Sequence, residues 1–270
     1  TLMRHLKMNS NYDISEAAPF SYAEYRNILQ SLSEQFDIID YGDIDEKTES
    51  FCVIRHDIEF SVERALEMAK LESEMNVKTS YFFQINNNTY NPFSSKNLAI
   101  IHDIAKLGHK IGIHFTPSSS KEKIVRSEFF MMKRIFEDLT KISVDRFSFH
   151  RPNLNSEVLS KNINIDGIIN VYSNLFFEYF DDKIPENPEI KYISDSNHQW
   201  KYGHPLDSMN SSWRKIHILI HPFSWSSSGG NNYENYLNLL KEKNDTLMES
   251  INEEISNFPI SDITRHYNNE

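Results

Sequence analysis

Short apolar runs alternate with amphipathic segments along most of the chain, and this alternation is typical of β-strand and α-helix units. The runs are rich in β-branched and aromatic residues. They predict seven strands, at 52–58, 79–85, 110–115, 146–150, 167–172, 191–195 and 216–221. Strands joined through helices pair in parallel, so the pattern predicts an α/β fold, with a parallel barrel and an open sheet both allowed.

The amphipathic segments predict helices at 61–76, 95–107 and 121–140. Ser61 and Asn76 suit the two ends of the first helix, and Gly108 suits the end of the second. In the third helix we expect packing from Ile124, Phe129, Met132, Ile135, Phe136 and Leu139. A covering helix before the first strand presents Tyr22, Tyr25, Ile28, Leu29 and Leu32, and a long helix over 233–258 presents Tyr236, Leu237, Leu240, Leu247 and Ile251.

Composition narrows the class of protein. The chain has 270 residues, 39% of them hydrophobic and 25% charged, which is typical of a globular protein. Its net charge of -11 repels phosphate backbones, so nucleic-acid binding is not expected. No run approaches the roughly 20 apolar residues that cross a bilayer, and a lone cysteine requires no oxidising compartment. We therefore expect a cytoplasmic protein without a transmembrane segment.

Polar residues cluster where the predicted strands end. In parallel α/β folds the carboxyl ends of the strands meet at one rim, where active sites form. The groups at these ends are Asp57 and Glu59, His114, His150 and Arg151, Asp195, and His221. Burying several ionisable groups together is costly unless they pair or bind a metal. Asp57 and Glu59 point the same way from one strand, and a divalent cation between them would relieve their repulsion.

These residues occur in motifs that resemble those of a known family. The motifs are 55–59 (Arg-His-Asp-Ile-Glu), 108–114 (Gly-His-Lys-Ile-Gly-Ile-His), 149–152 (Phe-His-Arg-Pro), Asp195-Ser196 with Trp200, and 219–222 (Leu-Ile-His-Pro). Together they resemble the polysaccharide deacetylases of the NodB-homology type. The first motif is similar to a His-Asp-x-Asp branch found among products of surface-polysaccharide gene clusters.

The resemblance implies a distorted, incomplete (β/α) barrel of about seven parallel strands. A single domain would span 1–270, with 1–50 as an N-terminal covering segment, 51–225 as the motif-bearing barrel, and 231–270 as a C-terminal helix and tail. The implied activity is metal-dependent removal of an N- or O-acetyl group from a sugar.

The resemblance also implies a role for each residue that occupies a matching position in the motifs. Asp57 matches the general base, Glu59 and His114 match metal ligands, and His221 matches the general acid. Arg151 matches the arginine that orients the base, with Asp195 as its partner, and Trp200 matches a residue that lines the pocket. Tyr172 and Trp225 lie near the same predicted rim and suit stacking on a sugar ring.

Two positions depart from the family pattern. A second metal histidine would fall at position 118, which is Ser, and Glu59 replaces a shorter Asp. His150 is the candidate replacement, completing a three-ligand site with Glu59 and His114 that suits Zn²⁺.

Three functions remain open from the sequence. The first is the deacetylase described above. The second is a non-catalytic carbohydrate-binding relative that has lost part of its metal site. The third is a hydrolase of non-peptide C–N bonds in another small substrate, because related folds carry out both chemistries.

Overall fold

The fold is a seven-stranded parallel sheet that curls into a half-barrel and carries helices on its outside. The computed structural model describes residues 17–152, 157–179, 186–210, 212–261 and 263–264. The strands are β1 Phe51–Ile58, β2 Ser80–Phe83, β3 Lys110–Phe115, β4 Arg146–Phe149, β5 Ile169–Asn170, β6 Ile190–Ser194 and β7 Lys215–Ile220. All seven predicted strands are thus confirmed, with small shifts at their ends.

The strand order is β5-β4-β3-β2-β1-β7-β6, and every pairing is parallel. Within the described residues β5 and β6 are the two edges of the sheet, so the barrel is incomplete, as predicted. The central strand β1 is buried along its whole length. Its alternation sends Arg55 and Asp57 into the curl and His56 to the opposite side, where His56 contacts Glu72 at 2.7 Å.

The helices are α1 Tyr22–Gln35, α2 Val62–Glu74, α3 Ser95–Lys106, α4 Glu122–Thr140, α5 Glu157–Ser160 and α6 Asn232–Glu254. Ser61 caps α2 by accepting a hydrogen bond from the amide of Arg64, as predicted. Asn76 and Gly108 follow α2 and α3 with positive φ angles of 59° and 94°. The covering helix α1 buries Tyr25, Ile28, Leu29 and Leu32. No helix in the described part of the chain combines the length and hydrophobicity needed to cross a bilayer.

Two packing predictions are partly wrong. In α4 the buried stripe runs through Val125, Phe129 and Phe136, whereas Ile124, Ile135 and Leu139 are exposed. In α6 the buried residues are Asn235 and Leu239, whereas Tyr236, Leu237, Leu240 and Leu247 are exposed. Each helix carries more apolar residues than one face can hold, and the sequence does not show which face of the helix meets the rest of the fold.

Candidate active site

A cavity of about 970 Å³ lies at the carboxyl ends of the strands. Asp57, at the end of β1, and His114, near the end of β3, line this cavity. Glu59, His150 and His221 line it from the first residues after β1, β4 and β7. The predicted convergence of these five groups is therefore present in the fold.

Glu59, His114 and His150 form a possible metal site. Their ligand atoms all lie within 4.8 Å of one another. Glu59 Oε1 is 3.1 Å from His150 Nδ1 and 3.8 Å from His114 Nε2, and the two histidine nitrogens are 3.1 Å apart. These distances bracket the separation of about 3.3 Å that tetrahedral geometry gives ligands bound at about 2.0–2.1 Å. Burial alone raises the pKa of Glu59, but the neighbouring imidazoles of His114 and His150, with His221 beyond them, hold it well below its usual range, so the carboxylate is ionised.

Ser148 fixes the orientation of His114 by contacting the ring nitrogen that faces away from the possible metal site. These two residues are register partners on β3 and β4, and His114 Nδ1 lies 2.7 Å from Ser148 Oγ. The same hydroxyl donates to Asp57 Oδ1 at 3.0 Å. Since Ser148 has a single proton to give, it accepts from His114 Nδ1–H. With Nδ1–H directed at Ser148, Nε2 is the atom of His114 that faces Glu59 and His150, which is the orientation a metal ligand needs.

Asp57 is buried and has a charged neighbour on its own strand. Arg55 Nη2 lies 3.5 Å from Asp57 Oδ2 and also donates to the hydroxyl of Tyr172 at 2.5 Å. Burial raises the pKa of Asp57, but the charge of Arg55, with contributions from His114 and His221, lowers it below its ordinary value. The carboxylate is therefore ionised despite being only 1% exposed, and it can accept a proton.

His221 is held by Asp195 on the other side of the cavity. His221 Nδ1 lies 2.6 Å from Asp195 Oδ1, and the backbone amide of His221 donates to the same carboxylate. Trp225 Nε1 donates to Asp195 Oδ2 at 2.8 Å. Burial lowers the pKa of His221, but the charge and hydrogen bond of Asp195 outweigh it and raise the pKa to about 9. At neutral pH the imidazole is thus protonated, with Nε2 on the side of Glu59, 3.9 Å from its Oε1.

Several predicted partners differ in the structure. Asp195 pairs with His221 and not with Arg151, and the arginine that contacts Asp57 is Arg55. Arg151 lines the cavity as an exposed side chain. The predicted pairing of Arg151 with Asp195 is therefore wrong, because the carboxylate is already occupied by groups from the end of β7.

The predicted aromatic residues divide into two groups. Tyr172 lines the cavity, as expected. Trp225 is fully buried, and its indole N–H donates a hydrogen bond to Asp195. Trp200 packs near Phe20 and Trp225, with ring centroids 5.9 and 6.0 Å away. Neither tryptophan is among the described residues that line the cavity, so the expectation that they line the pocket is wrong, and both pack against other rings.

Ser118 lies away from the possible metal site. Its backbone amide donates to Glu128 of α4 at 3.0 Å, and its hydroxyl donates to the same carboxylate. The structure brings His150 to Glu59 and His114, as the sequence predicted for the replacement of the missing histidine.

Sequence reasoning missed Arg55 and Ser148. Arg55 stands two residues before Asp57 and so on the same face of β1, which is a signal that the sequence does contain. Ser148 stands two residues before His150, but its link to His114 depends on strand register, which the sequence does not specify.

Comparisons with known proteins give structural neighbours only. No protein-family model matches the chain, and no curated protein does. A mutant of a CE4 family pseudoenzyme from Bacillus anthracis, with restored enzymatic activity, is similar at TM-score 0.43 and 15% identity, with 75% of this chain and 65% of that chain covered. The chain thus spans less than two thirds of the length of this neighbour.

Two further neighbours have related descriptions. A family 4 acetyl xylan esterase from Clostridium thermocellum, in complex with a cobalt ion, is similar at TM-score 0.40 and 13% identity, with 63% of this chain and 73% of that chain covered. The chitin deacetylase of the fungus Colletotrichum lindemuthianum is similar at TM-score 0.40 and 16% identity, with 71% and 80% covered. This is a distant structural similarity to CE4 deacetylases, and no inference about function rests on it. The predicted branch and gene-cluster context stay predictions.

Proposed function

We propose that this protein is a metal-dependent hydrolase that removes an acetyl group from an N- or O-acetylated sugar. The observation that carries the proposal is the convergence of Glu59, His114 and His150 beside Asp57 and His221 in one cavity. An ionised carboxylate and two imidazoles are a ligand set found at catalytic zinc sites. The motif resemblance to polysaccharide deacetylases supports the same assignment.

The residues present fit a divalent cation. Glu59 is ionised, and Ser148 sets the His114 tautomer with Nε2 available. The amide nitrogen of Gln84, Nε2, lies 2.9 Å from His150 Nδ1. If His150 Nδ1 binds an ion, the Gln84 side chain must therefore move away from it. A bound cation would supply Lewis acidity, lowering the pKa of water towards about 7 and polarising the acetyl carbonyl.

The two remaining groups suit opposite proton transfers. Asp57 is ionised and accepts a proton from the attacking water. Its low pKa makes it a weak base, so this step needs a water that is more acidic than bulk water. His221 is protonated and donates from Nε2 to the leaving nitrogen or oxygen, while Asp195 stabilises the imidazolium at Nδ1. Each transfer contributes roughly 10²–10⁴ in rate.

The remaining cavity wall suits a sugar. Tyr172, Tyr179, Tyr192 and Tyr202 contribute aromatic surface, and residues 86–89 contribute three asparagines and a threonine. Apolar ring faces combined with a few amide and hydroxyl groups match the mixed surface of a pyranose.

The proposal is tested by measuring the bound metal and the release of acetate on the same protein samples. Protein stripped with a chelator is titrated with Zn²⁺ or Co²⁺ and then assayed on N-acetylated and O-acetylated sugars, with amides and ureides beside them. We expect one ion per chain and metal-dependent acetate release. Glu59→Gln should lose both, whereas Glu63→Gln, a matched change on α2 outside the cavity, should keep both.

Three results would count against the proposal. If wild type binds no ion, or if Glu59→Gln retains it, the metal assignment is wrong. An ion bound without acetate release would favour the non-catalytic relative. Turnover of ureides alone would favour the hydrolase of other C–N bonds.

A further inference from the structure

The segment 84–90, which follows β2, lies beside the possible metal site. Gln84 and residues 86–89 line the cavity. The three consecutive asparagines of this segment differ in burial, because Asn86 and Asn88 are exposed whereas Asn87 is half-buried. Asn87 is therefore the one whose side chain meets the protein.

The amide group of Asn87 is fully engaged by protein groups. Its Oδ1 accepts a hydrogen bond from the backbone amide of Thr89 at 2.6 Å. Its Nδ2 donates to the backbone carbonyl of Glu59 at 2.8 Å and to Oε1 of Gln84 at 2.6 Å. An amide nitrogen has two protons to donate, so both are used. A backbone amide only donates and a backbone carbonyl only accepts, so these partners also fix which end of the Asn87 side chain is the oxygen.

These contacts hold Glu59 at the point where the sheet ends. The pairing of β1 with β2 stops at Ile58, opposite Phe83, and Glu59 is the next residue. Its carbonyl accepts from Asn87, and the hydroxyl of Thr89 lies 2.9 Å from the same oxygen. The segment 84–90 therefore sets the place from which the carboxylate of Glu59 extends into the cavity.

The amide of Asn87 also reaches His150, through Gln84. The Gln84 side chain is only 7% exposed, and its Nε2 lies 2.9 Å from His150 Nδ1 while its Oε1 is held by Asn87. His150 Nδ1 is in turn 3.1 Å from Glu59 Oε1. The four residues thus form a closed ring in which no link is longer than 3.1 Å.

The ring connects two strands that are not neighbours. Glu59 follows β1 and His150 follows β4, with β2 and β3 between them in the sheet. The segment that begins at the end of β2 is placed between these two strands and contacts a residue from each. Ligands whose separation is fixed in advance lose less conformational entropy when they bind an ion.

We propose that Asn87 is a positioning residue for the metal site, holding the backbone of Glu59 directly and the ring of His150 through Gln84. The inference rests on the proposed function, and it assigns a role to a residue outside the ligand set. The bond from Asn87 to Glu59 involves no ligand atom, so it persists when the site is loaded. The Gln84 amide keeps His150 turned toward Glu59 before loading and moves aside on loading.

The test is the affinity of the protein for Zn²⁺ and Co²⁺ in isothermal titration calorimetry, with Asn87→Asp as the main variant. Asp keeps an oxygen for the backbone amide of Thr89 but has no proton for Glu59 or Gln84. We expect the affinity for both ions to fall about 10–100-fold. A negative charge added near a cation would by itself raise the affinity, so the expected change has the opposite sign to the electrostatic effect. Asn87→Ala, which adds no charge, should also lower the affinity.

The matched control is Asn88→Asp. It adds the same charge at the next position, where the side chain is exposed and makes no hydrogen bond with another described residue. The affinity of this variant for both ions should not fall.

The absorption spectrum of the Co²⁺-loaded protein separates positioning from a general loss of stability, because it reports the ligand geometry of the folded protein. At saturating Co²⁺ the spectra of Asn87→Asp and Asn87→Ala should differ from that of wild type. The spectrum of Asn88→Asp should be unchanged.

Three results would overturn the role of Asn87 while leaving the metal site in place. They are an undiminished affinity in the two Asn87 variants, an equal fall in Asn88→Asp, and a fall that leaves the Co²⁺ spectrum of the Asn87 variants unchanged. Failure of the proposed function gives different results. If wild type binds no ion, both proposals fall. If it binds an ion but releases no acetate, only the hydrolase is lost, and the affinities and spectra still decide the role of Asn87.

Discussion

Replacing Asp195 with Asn should change the protonation of His221. Burial by itself lowers the pKa of this imidazole, and the Asp195 carboxylate, 2.6 Å away, raises it from 6.5 to about 9. The Asn side chain keeps an oxygen that accepts from Nδ1 but has no charge to stabilise the imidazolium. The pKa of His221 in Asp195→Asn should therefore fall from about 9 to near 6.5, because only the smaller contributions of Glu59 and Asp57 remain to oppose the effect of burial.

The same contact makes a pH-dependent contribution to stability. A rise from 6.5 to about 9, at about 1.4 kcal/mol per unit, corresponds to about 3 kcal/mol. Because the folded pKa is higher than the unfolded one, this contribution is fully present below about pH 6.5 and is lost as the pH rises through about 9. The free energy of unfolding of wild type relative to Asp195→Asn should decrease by about 3 kcal/mol over that range.

Two measurements report the change in the pKa of His221. Proton NMR of the chelator-treated protein gives the His221 titration directly, with His221→Gln identifying the resonance. The pH profile of acetate release should lose activity on its alkaline limb near pH 9 in wild type and about 2 units lower in the variant.

The matched control is Asp103→Asn, which removes an exposed carboxylate on α3 that pairs with Lys106. It should move neither the titration nor the pH profile. An unchanged His221 titration in Asp195→Asn would refute the assignment of Asp195 as the group that raises the pKa. An unchanged alkaline limb beside a shifted titration would refute His221 as the acid.

Three further substitutions separate the roles of groups around the site. Ser148→Ala removes the acceptor of His114 Nδ1–H and should weaken Zn²⁺ binding about 10–100-fold in isothermal titration calorimetry, with an undiminished affinity counting against the tautomer argument. Arg55→Met leaves the buried Asp57 without its cation and should lower the free energy of unfolding by about 3–5 kcal/mol in urea titrations, whereas a loss below about 1 kcal/mol would show that the pair matters little. Trp200→Ala should lower thermal stability and leave the KM for substrate unchanged. A raised KM would show that Trp200 contacts the substrate after all.

The strands and the helix ends could be predicted because local sequence signals determine them. The seven strands are short apolar runs, and Ser61 and Gly108 mark helix ends through a hydroxyl acceptor and a positive φ angle. The orientation of α4 and α6 was not predictable in the same way. Each helix carries apolar residues on more than one side, and which side is buried depends on the neighbouring elements, so Leu139 and Leu240 were expected to pack although both are exposed.

The site was predictable to the extent that parallel strands bring their ends together. Asp57, Glu59, His114, His150 and His221 were all predicted from strand ends, and they share one cavity. Their roles in binding and catalysis stay predictions.

Partner choice was harder to predict, because hydrogen-bonded pairs form across strands. Asp195 is bonded to His221 because β6 and β7 are neighbours, whereas Arg151 follows β4, at the far side of the sheet. Trp200 and Trp225 are near the site in sequence, but packing of their large rings against Phe20 turns both away from the cavity.

The geometry predicts a link between the two positions at which the sequence departs from the motifs it resembles. Along the sheet, β1 and β4 are separated by β2 and β3, or three spacings of about 4.8 Å each, and curling alone brings their ends closer. Glu59 follows β1 and His150 follows β4, and their ligand atoms meet at 3.1 Å. An Asp at position 59 is one methylene shorter and would not reach as far toward β4. We therefore expect the longer carboxylate to compensate for a histidine taken from β4 in place of one at position 118.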